Sequence, residues 1–263
     1  MPLPADLDHV AVAAHRTADL WPCYAGDLGG AWVGGGDTAG FYSAQVQFAN
    51  GMKVEGLEPR RVDENDFLAR FLAANGPGPH HLTFKVPDIH AALVELAVAG
   101  YEPINVNLAE PSWMEAFLHP KTAHGIVVQV AQSSGAEWGE PAPDGLPAPR
   151  VAVPATLDVV THLVADLAAA RHLFGTVLGG TAVAEEHGAV LLAWPGPGRV
   201  RLVQPEAGTP EAAWLGARVG RLHHLGFTVA TPDRLAAAVV LPDGTVEVPP
   251  EANQGVRLRL TPA

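Results

Sequence analysis

Four polar residues that interrupt apolar strand patterns are the strongest candidates for chemistry. His9 and His81 each open such a pattern (HVAVA and HLTFKV), and Glu55 and Gln129 each lie inside a later one (MKVEGLEP and GIVVQVAQ). Alternate side chains of a strand share a face, so one polar residue per strand can point into a common cavity. Two imidazoles, a carboxylate and an amide oxygen suit a divalent transition metal, with water at the remaining positions.

A tandem repeat relates these residues to a second set. Residues 7–30 return without a gap as residues 157–180, and the triplet His-His-Leu recurs at 80–82 and 223–225. We call residues 1–132 the first copy and 155–263 the second copy, with a Pro/Gly-rich linker at 133–154. At the positions of the four candidates the second copy carries Val159, Arg201, His224 and Arg259. Two arginines and a valine cannot bind a cation, so the sequence predicts that only the first copy holds metal.

Each copy contains two modules in which a strand is followed by a helix and then by further strands. In the second module Asp88 is the expected N-cap, and Gly100 ends the helix. The Asn50-Gly51 pair is a strong hairpin signal in the first module. The predicted strands are 9–13, 45–49, 52–57, 81–86, 115–119 and 126–131, and the predicted helices are 17–27, 89–99 and a short one at 233–240.

Composition narrows the class of protein. A length of 263 residues fits two domains, each able to bury a core. The net charge of −12 argues against a nucleic-acid partner, since no basic stripe is present to neutralise phosphates. The one cysteine excludes an intrachain disulfide, and no apolar run is long enough for a membrane span. We therefore expect a cytoplasmic protein with no membrane association, and the abundance of Ala, Gly and Pro favours a bacterial source.

The motifs LDHVAVA, KVEGLEP, GPHHLTFKVPDI and FLHPKTAHGIVVQV resemble the vicinal oxygen chelate superfamily over residues 7–131. Within it they are most similar to methylmalonyl-CoA epimerases and glyoxalases. The resemblance implies an α+β fold of four βαβββ modules, arranged as two tandem domains with cup-shaped mixed sheets. It also implies a divalent metal (Zn, Ni, Co, Mn or Fe) on His9, Glu55, His81 and Gln129. The repeat register selects His81 over the adjacent His80, because His-Leu at 81–82 matches His-Val at 9–10.

Two departures from this family narrow the chemistry. The last ligand is usually a glutamate, whereas Gln129 cannot accept a proton. The separate glutamate that epimerases carry before the hairpin is missing, and Asp37, in a glycine-rich stretch expected to be flexible, is a weak substitute. The interpretation is a metal-dependent isomerase or lyase acting on a small carbonyl or thioester substrate. Either Glu55, the candidate catalytic residue, or a metal-bound hydroxide would remove the proton beside the carbonyl. Lys85, His119 and Lys121 are candidates for binding an anionic group of that substrate.

Two other functions remain open. A binding protein of the bleomycin-resistance type would use the cup without a metal, and the small residues Ala11 and Ala13 would leave room for a bulky ligand. An iron-dependent extradiol dioxygenase would use two histidines and one glutamate. The second copy could substitute for the partner of a homodimer, so the chain is expected to be a monomeric pseudo-dimer or a homodimer.

Overall fold

The two copies form two eight-stranded mixed sheets with the same strand order. We describe a computed structural model over residues 2–135, 139–232 and 235–263. The first sheet has the order β2-β3-β4-β1-β5-β8-β7-β6. Its strands are β1 (Asp6–Ala13), β2 (Ala31–Thr38), β3 (Phe41–Gln47), β4 (Lys53–Pro59), β5 (Gly78–Lys85), β6 (Ile104–Asn107), β7 (Trp113–Leu118) and β8 (Val127–Ser133).

The second sheet repeats this order as β10-β11-β12-β9-β13-β16-β15-β14. The predicted α+β fold of paired βαβββ modules is therefore confirmed. The strands of the second sheet are β9 (Thr156–Val164), β10 (Thr181–Glu186), β11 (Ala189–Ala193), β12 (Arg199–Val203), β13 (Gly220–Val229), β14 (Val239–Val240), β15 (Val246–Val248) and β16 (Leu258–Pro262). The α-helices are α1 (Phe67–Asn75), α2 (Ile89–Val98), α3 (Leu167–Arg171) and α4 (Pro210–Leu215), with 3-10 turns at Thr17–Asp19 and Pro250–Ala252 and π-helical segments at Pro22–Asp27 and His172–Val177.

One hydrogen bond recurs in three of the four modules and fixes their alignment. A side chain near the end of the last strand accepts a backbone N–H at the start of the helical segment. The pairs are Thr17 N to Glu58 Oε2 (2.8 Å), Ile89 N to Gln132 Oε1 (2.9 Å) and Leu167 N to Gln204 Oε1 (3.0 Å). In the fourth module the corresponding residues are Pro232 and Pro262, and Pro232 has no N–H to donate. This bond places Glu55, Gln129 and Arg201 at one equivalent position, three residues before the acceptor.

Several predicted elements differ in the structure. The single helix expected at 17–27 is two short segments, because Pro22 cannot continue the hydrogen bonding of the first. The glycine-rich stretch with Asp37, which was expected to be flexible, forms β2 and pairs along β3. A side chain at Gly35 would crowd the backbone there, because a Cβ would lie 2.9 Å from the Ser43 carbonyl oxygen. A helix was predicted at 233–240. The first two of these residues lie outside the described ones, and the last two, Val239–Val240, form the strand β14.

The linker packs against the first copy. Its first residue, Ser133, still belongs to β8. Arg150 forms an ion pair of 2.6 Å with the buried Asp27 and donates from its backbone to Gly26 O. Glu140 donates to Gly35 O and accepts from the Trp32 indole at 3.1 Å. The described linker residues 134–135 and 139–154 contain no helix or strand.

The chain divides into two compact units, each built from one module of either copy. The first unit comprises the described residues of Met1–His9, His81–Ala136 and Val159–His223, and in it Phe84 packs on Trp194 with ring centroids 5.1 Å apart. The second comprises Val10–His80, Glu137–Asp158 and His224–Ala263, and in it Phe48 packs on Phe227 at 4.9 Å. Each sheet consists of strands from one copy, whereas each compact unit combines segments of both copies. The domain limits 1–132, 133–154 and 155–263 therefore stay a prediction.

Candidate metal centre

Three of the predicted ligands lie together in the first sheet. His9 is on β1, Glu55 on β4 and His81 on β5, and these strands are neighbours in the order β4-β1-β5. One ligand atom from each lies within 4.8 Å of the others, and all three residues are buried. Donors bound to one ion at about 2.1 Å lie at most about 4.2 Å apart, so a small side-chain rotation would bring this set to bonding distance. The residues therefore fit a divalent transition metal.

Neighbouring polar groups orient two of the three side chains. His9 Nδ1 lies 2.7 Å from Asp8 Oδ2, and because a carboxylate only accepts, this nitrogen carries the hydrogen. The other ring nitrogen, Nε2, is then the one suited to a metal. Gln45, directly opposite Glu55 in the β3–β4 register, donates its amide to Glu55 Oε1 at 3.0 Å. Such partners hold ligand side chains in place before an ion arrives.

Gln129, the fourth predicted ligand, is buried in β8 and belongs to a hydrogen-bonded chain. Its Oε1 lies 2.5 Å from the hydroxyl of Thr83, which in turn lies 2.8 Å from His9 Nε2. Its Nε2 donates to Glu115 Oε2 at 2.6 Å. Gln129 thus joins the His9 side of the cluster through one hydroxyl, and its place as a metal ligand remains a proposal.

The adjacent histidines have different surroundings. The His81 ring lies edge-on to His9 at 5.9 Å and to Phe117 at 6.2 Å between centroids. His80 instead packs against Phe71 at 4.7 Å and Phe67 at 5.9 Å, both on α1. His81 is the member of the metal-type cluster, and His80 belongs to the packing beneath α1.

The predicted substrate-binding residues lie outside the cluster. Lys85 forms an ion pair of 3.3 Å with Asp8 and sits over the Trp113 ring at 5.5 Å. His119 and Lys121 are exposed in the loop between β7 and β8, where the Lys121 N–H donates to His119 Nδ1 at 3.1 Å. Their contact with a substrate stays a prediction. Lys85 already has a carboxylate partner, so an anion would have to compete with Asp8 for it.

Ala11 and Ala13 do not line an open cup, which corrects the expectation of space for a bulky ligand. Both are fully buried in one cluster with Leu57 and with Leu68 and Leu72 of α1. Helix α1, which was not predicted, fills the volume that these small residues leave. The room next to the candidate metal centre is therefore smaller than the sequence indicated.

The equivalent face of the second copy carries ion pairs. Arg201 pairs with Glu186 at 2.7 Å, and Glu247 lies between Arg257 at 3.2 Å and Arg259 at 3.5 Å. Among the residues that the structure describes, His9, Glu55 and His81 are the one group with metal-ligand geometry. That the first copy alone binds a metal stays a prediction.

Fold and site together define a class: proteins built from paired βαβββ modules that gather histidines and a carboxylate inside a mixed sheet. Residues 8–117 match the family model described as the Glyoxalase/Bleomycin resistance protein/Dioxygenase superfamily. The match lies within the first copy, and there it agrees with the vicinal oxygen chelate superfamily that the sequence motifs predicted. In the described residues no helix is both long and apolar enough to cross a membrane.

Some solved structures match nearly the whole chain, and others match about half of it. A hypothetical protein from Staphylococcus aureus is 10% identical, with a TM-score of 0.63 over 98% of this chain and 100% of that one, and shares the fold of both copies. A hypothetical protein from Bacillus halodurans is 28% identical, with a TM-score of 0.45 over 53% of this chain and 99% of its own. Methylmalonyl-CoA epimerase from Mycobacterium tuberculosis is 24% identical, with a TM-score of 0.45 over 49% and 88%. The comparison with curated proteins found no match.

Proposed function

We propose that the protein is a metal-dependent isomerase or lyase that enolises a small carbonyl or thioester substrate in its first copy. The observation that carries this proposal is the buried group of His9, Glu55 and His81, whose ligand atoms lie within 4.8 Å of one another. A structural role alone would not require two imidazoles and a carboxylate to converge where burial of polar groups is costly. Gln129 supplies the fourth ligand, through its amide oxygen.

A divalent cation at this position would polarise the substrate carbonyl as a Lewis acid. Glu55 is the base: its carboxylate takes the proton from the carbon beside the carbonyl, and the C–H electron pair becomes the C=C bond of the enolate. Gln45 holds one Glu55 oxygen at 3.0 Å and so orients the carboxylate. In a hydroxy ketone, return of the proton to the other carbon of the enediolate gives an isomer, and in a substrate with a β-substituent, loss of that group gives a lyase product. Gln129 cannot serve as a second base.

A second function uses the same residues. Two histidines and one carboxylate are also the ligand set of non-haem iron oxygenases. Iron in the purified protein, with dioxygen consumption on addition of a catechol, would favour this function over enolisation. The drug-binding alternative loses its supporting feature, because α1 covers Ala11 and Ala13.

The experiment measures metal content and proton exchange in the full chain. We expect one divalent ion per chain by elemental analysis, and uptake of deuterium beside the carbonyl of a panel of keto acids, hydroxy ketones and acyl thioesters in heavy water. His81→Ala removes the ion and the exchange. His80→Ala is the matched control, since the neighbouring imidazole packs on α1; it keeps the ion.

Glu55→Gln separates binding from catalysis. An amide oxygen still coordinates but cannot take a proton, so this variant should retain metal, more weakly, and lose exchange by about 100-fold or more. Wild-type protein that binds no divalent ion at stoichiometric levels would refute the proposal. So would full exchange in Glu55→Gln.

A further inference from the structure

We infer that Glu115 is a positioning residue that fixes the Gln129 amide with its oxygen toward the metal centre. This inference rests on the proposed function. Glu115 lies on β7, two residues before Phe117, which is directly opposite Gln129 in the β7–β8 register. Glu115 and Gln129 therefore share a face of the sheet. The family resemblance gives Glu115 no role, and its carboxylate is the acidic group joined to Gln129.

The direction of the amide follows from the chemistry of its partners. Glu115 Oε2 receives two N–H groups, from the Trp113 indole at 2.7 Å and from Gln129 at 2.6 Å. Indole can only donate, and a carboxylate can only accept. The amide nitrogen of Gln129 must therefore face Glu115. Its oxygen faces the Thr83 hydroxyl, 2.5 Å away. That hydroxyl has a single hydrogen, which goes either to this oxygen or to His9 Nε2 at 2.8 Å, so Thr83 would donate to Gln129 once a metal held His9 Nε2.

This orientation decides whether Gln129 can act as a ligand. With the oxygen turned toward Thr83 and His9, the side chain offers a neutral donor to a cation. Rotated by half a turn, it would present an NH₂ group, which repels a cation. A charged acceptor on the far side makes the first arrangement the favoured one, because hydrogen bonds to ionised groups are the stronger ones. Trp113 stabilises that acceptor by holding the same oxygen.

The test is a double-variant comparison of metal affinity. Zn²⁺ and Co²⁺ affinities are measured by competition with a chelator, with the Co²⁺ absorption spectrum as a second readout. Glu115→Gln should weaken binding by about 10- to 100-fold, the usual cost of losing a group that orients a ligand. Glu110→Gln, an exposed carboxylate three residues before Trp113, should change affinity less than twofold.

The background of Gln129→Glu makes the test specific. In that protein two carboxylates would face each other, and their repulsion penalises the charged pair. Glu115→Gln should then strengthen metal binding, because its new amide can donate to the carboxylate at 129. A purely structural Glu115 would weaken binding in both backgrounds. Equal affinities of wild type and Glu115→Gln, or the same sign of change in both backgrounds, would overturn the inference.

A measurement without metal separates this inference from the proposed function. In the metal-free protein the Gln129 side-chain NH₂ should give a downfield-shifted nitrogen–proton signal, which moves in Glu115→Gln and stays in Glu110→Gln. If the wild type binds no metal, the proposed function fails and this signal still reports the Glu115–Gln129 bond. If metal binds but the signal is the same in Glu115→Gln, the positioning role alone is wrong.

Discussion

The two copies keep the same scaffold and differ at the site together with its surroundings. The positions of the candidate ligands His9, Glu55 and Gln129 hold Val159, Arg201 and Arg259 in the second copy. Two supporting positions changed as well. Opposite Glu55 in the register stands Gln45, whereas opposite Arg201 stands Leu191. Thr83, two residues after His81, corresponds to Gly226, two residues after His224.

The polar contact that serves the fold has instead been retained. Gln204 still accepts the backbone N–H of Leu167, as Glu58 accepts that of Thr17. The charges on the altered face compensate one another, since Arg201 meets Glu186 and two arginines meet Glu247. The difference teaches that three of the four candidate ligands and two of their neighbours changed together, with His81 kept as His224, whereas the helix-anchoring bond belongs to the scaffold.

The largest expected effect comes from giving the first copy the residue of the second. His9→Val should abolish stoichiometric metal binding, because it removes a ligand and the partner of both Asp8 and Thr83. Elemental analysis and Co²⁺ titration measure the loss. His15→Val, an exposed histidine just beyond the same strand, is the control and should bind metal like the wild type. A His9→Val protein with wild-type metal affinity would mean that the copies do not differ in the way described.

The next largest effect, on stability, is expected from α1, the helix that follows the first module of the first copy. Its counterpart in the second copy is α4. Leu68 of α1 is fully buried above Ala11 and Ala13, whereas the shorter α4 buries Leu215. Leu68→Ala should lower the free energy of unfolding by about 2–5 kcal/mol, the usual cost of a cavity, while leaving metal bound. Urea denaturation measures this loss, and Leu215→Ala is the matched variant of the second copy. Little destabilisation by Leu68→Ala would show that α1 does not fill the cup.

Much of the fold could be predicted, because the repeat and the strand patterns carry it. Helix α2 was predicted with its cap, and Asp88 does accept the Ala91 N–H at 3.0 Å. Helix α1 was missed although Asp66 precedes it as Asp88 precedes α2; in the structure the Asp66 side chain makes no capping bond. Strand β2 was missed because three consecutive glycines usually indicate a flexible loop, and here the Ser43 carbonyl of the neighbouring strand leaves no room for a side chain at Gly35.

The candidate site was predictable only in part. One polar residue per apolar strand was enough to group His9, Glu55 and His81, since alternation along a strand fixes the face. Gln45 and Glu115 were not predicted as partners, because cross-strand register depends on hairpin geometry that the sequence leaves open. A lone acidic residue in the apolar run WMEAFL was the signal that could have drawn attention to Glu115.

The smallest expected effect depends on pH and on a histidine that the first copy lacks. His162 occupies the position of Val12, is fully buried, and its Nε2 lies 2.7 Å from the His124 carbonyl oxygen. Burial lowers the pKa of His162 to about 4. In the unfolded chain the histidine pKa is about 6.5, so between about pH 6.5 and 4 the unfolded chain binds a proton that the folded chain does not. The free energy of unfolding therefore decreases as the pH falls through this range.

Replacing this residue by its counterpart isolates the effect. At pH 7.5 His162→Val should be less stable than the wild type by about 1 kcal/mol, the worth of one hydrogen bond. Below pH 6.5 the wild type should lose about 1.4 kcal/mol per pH unit relative to the variant, so the variant becomes the more stable protein before pH 5. Urea unfolding at half-unit steps of pH measures both proteins. If the free energies of unfolding of the two proteins changed in parallel down to pH 4.5, His162 would gain its proton in the folded protein. Its burial would then not destabilise the second copy in acid.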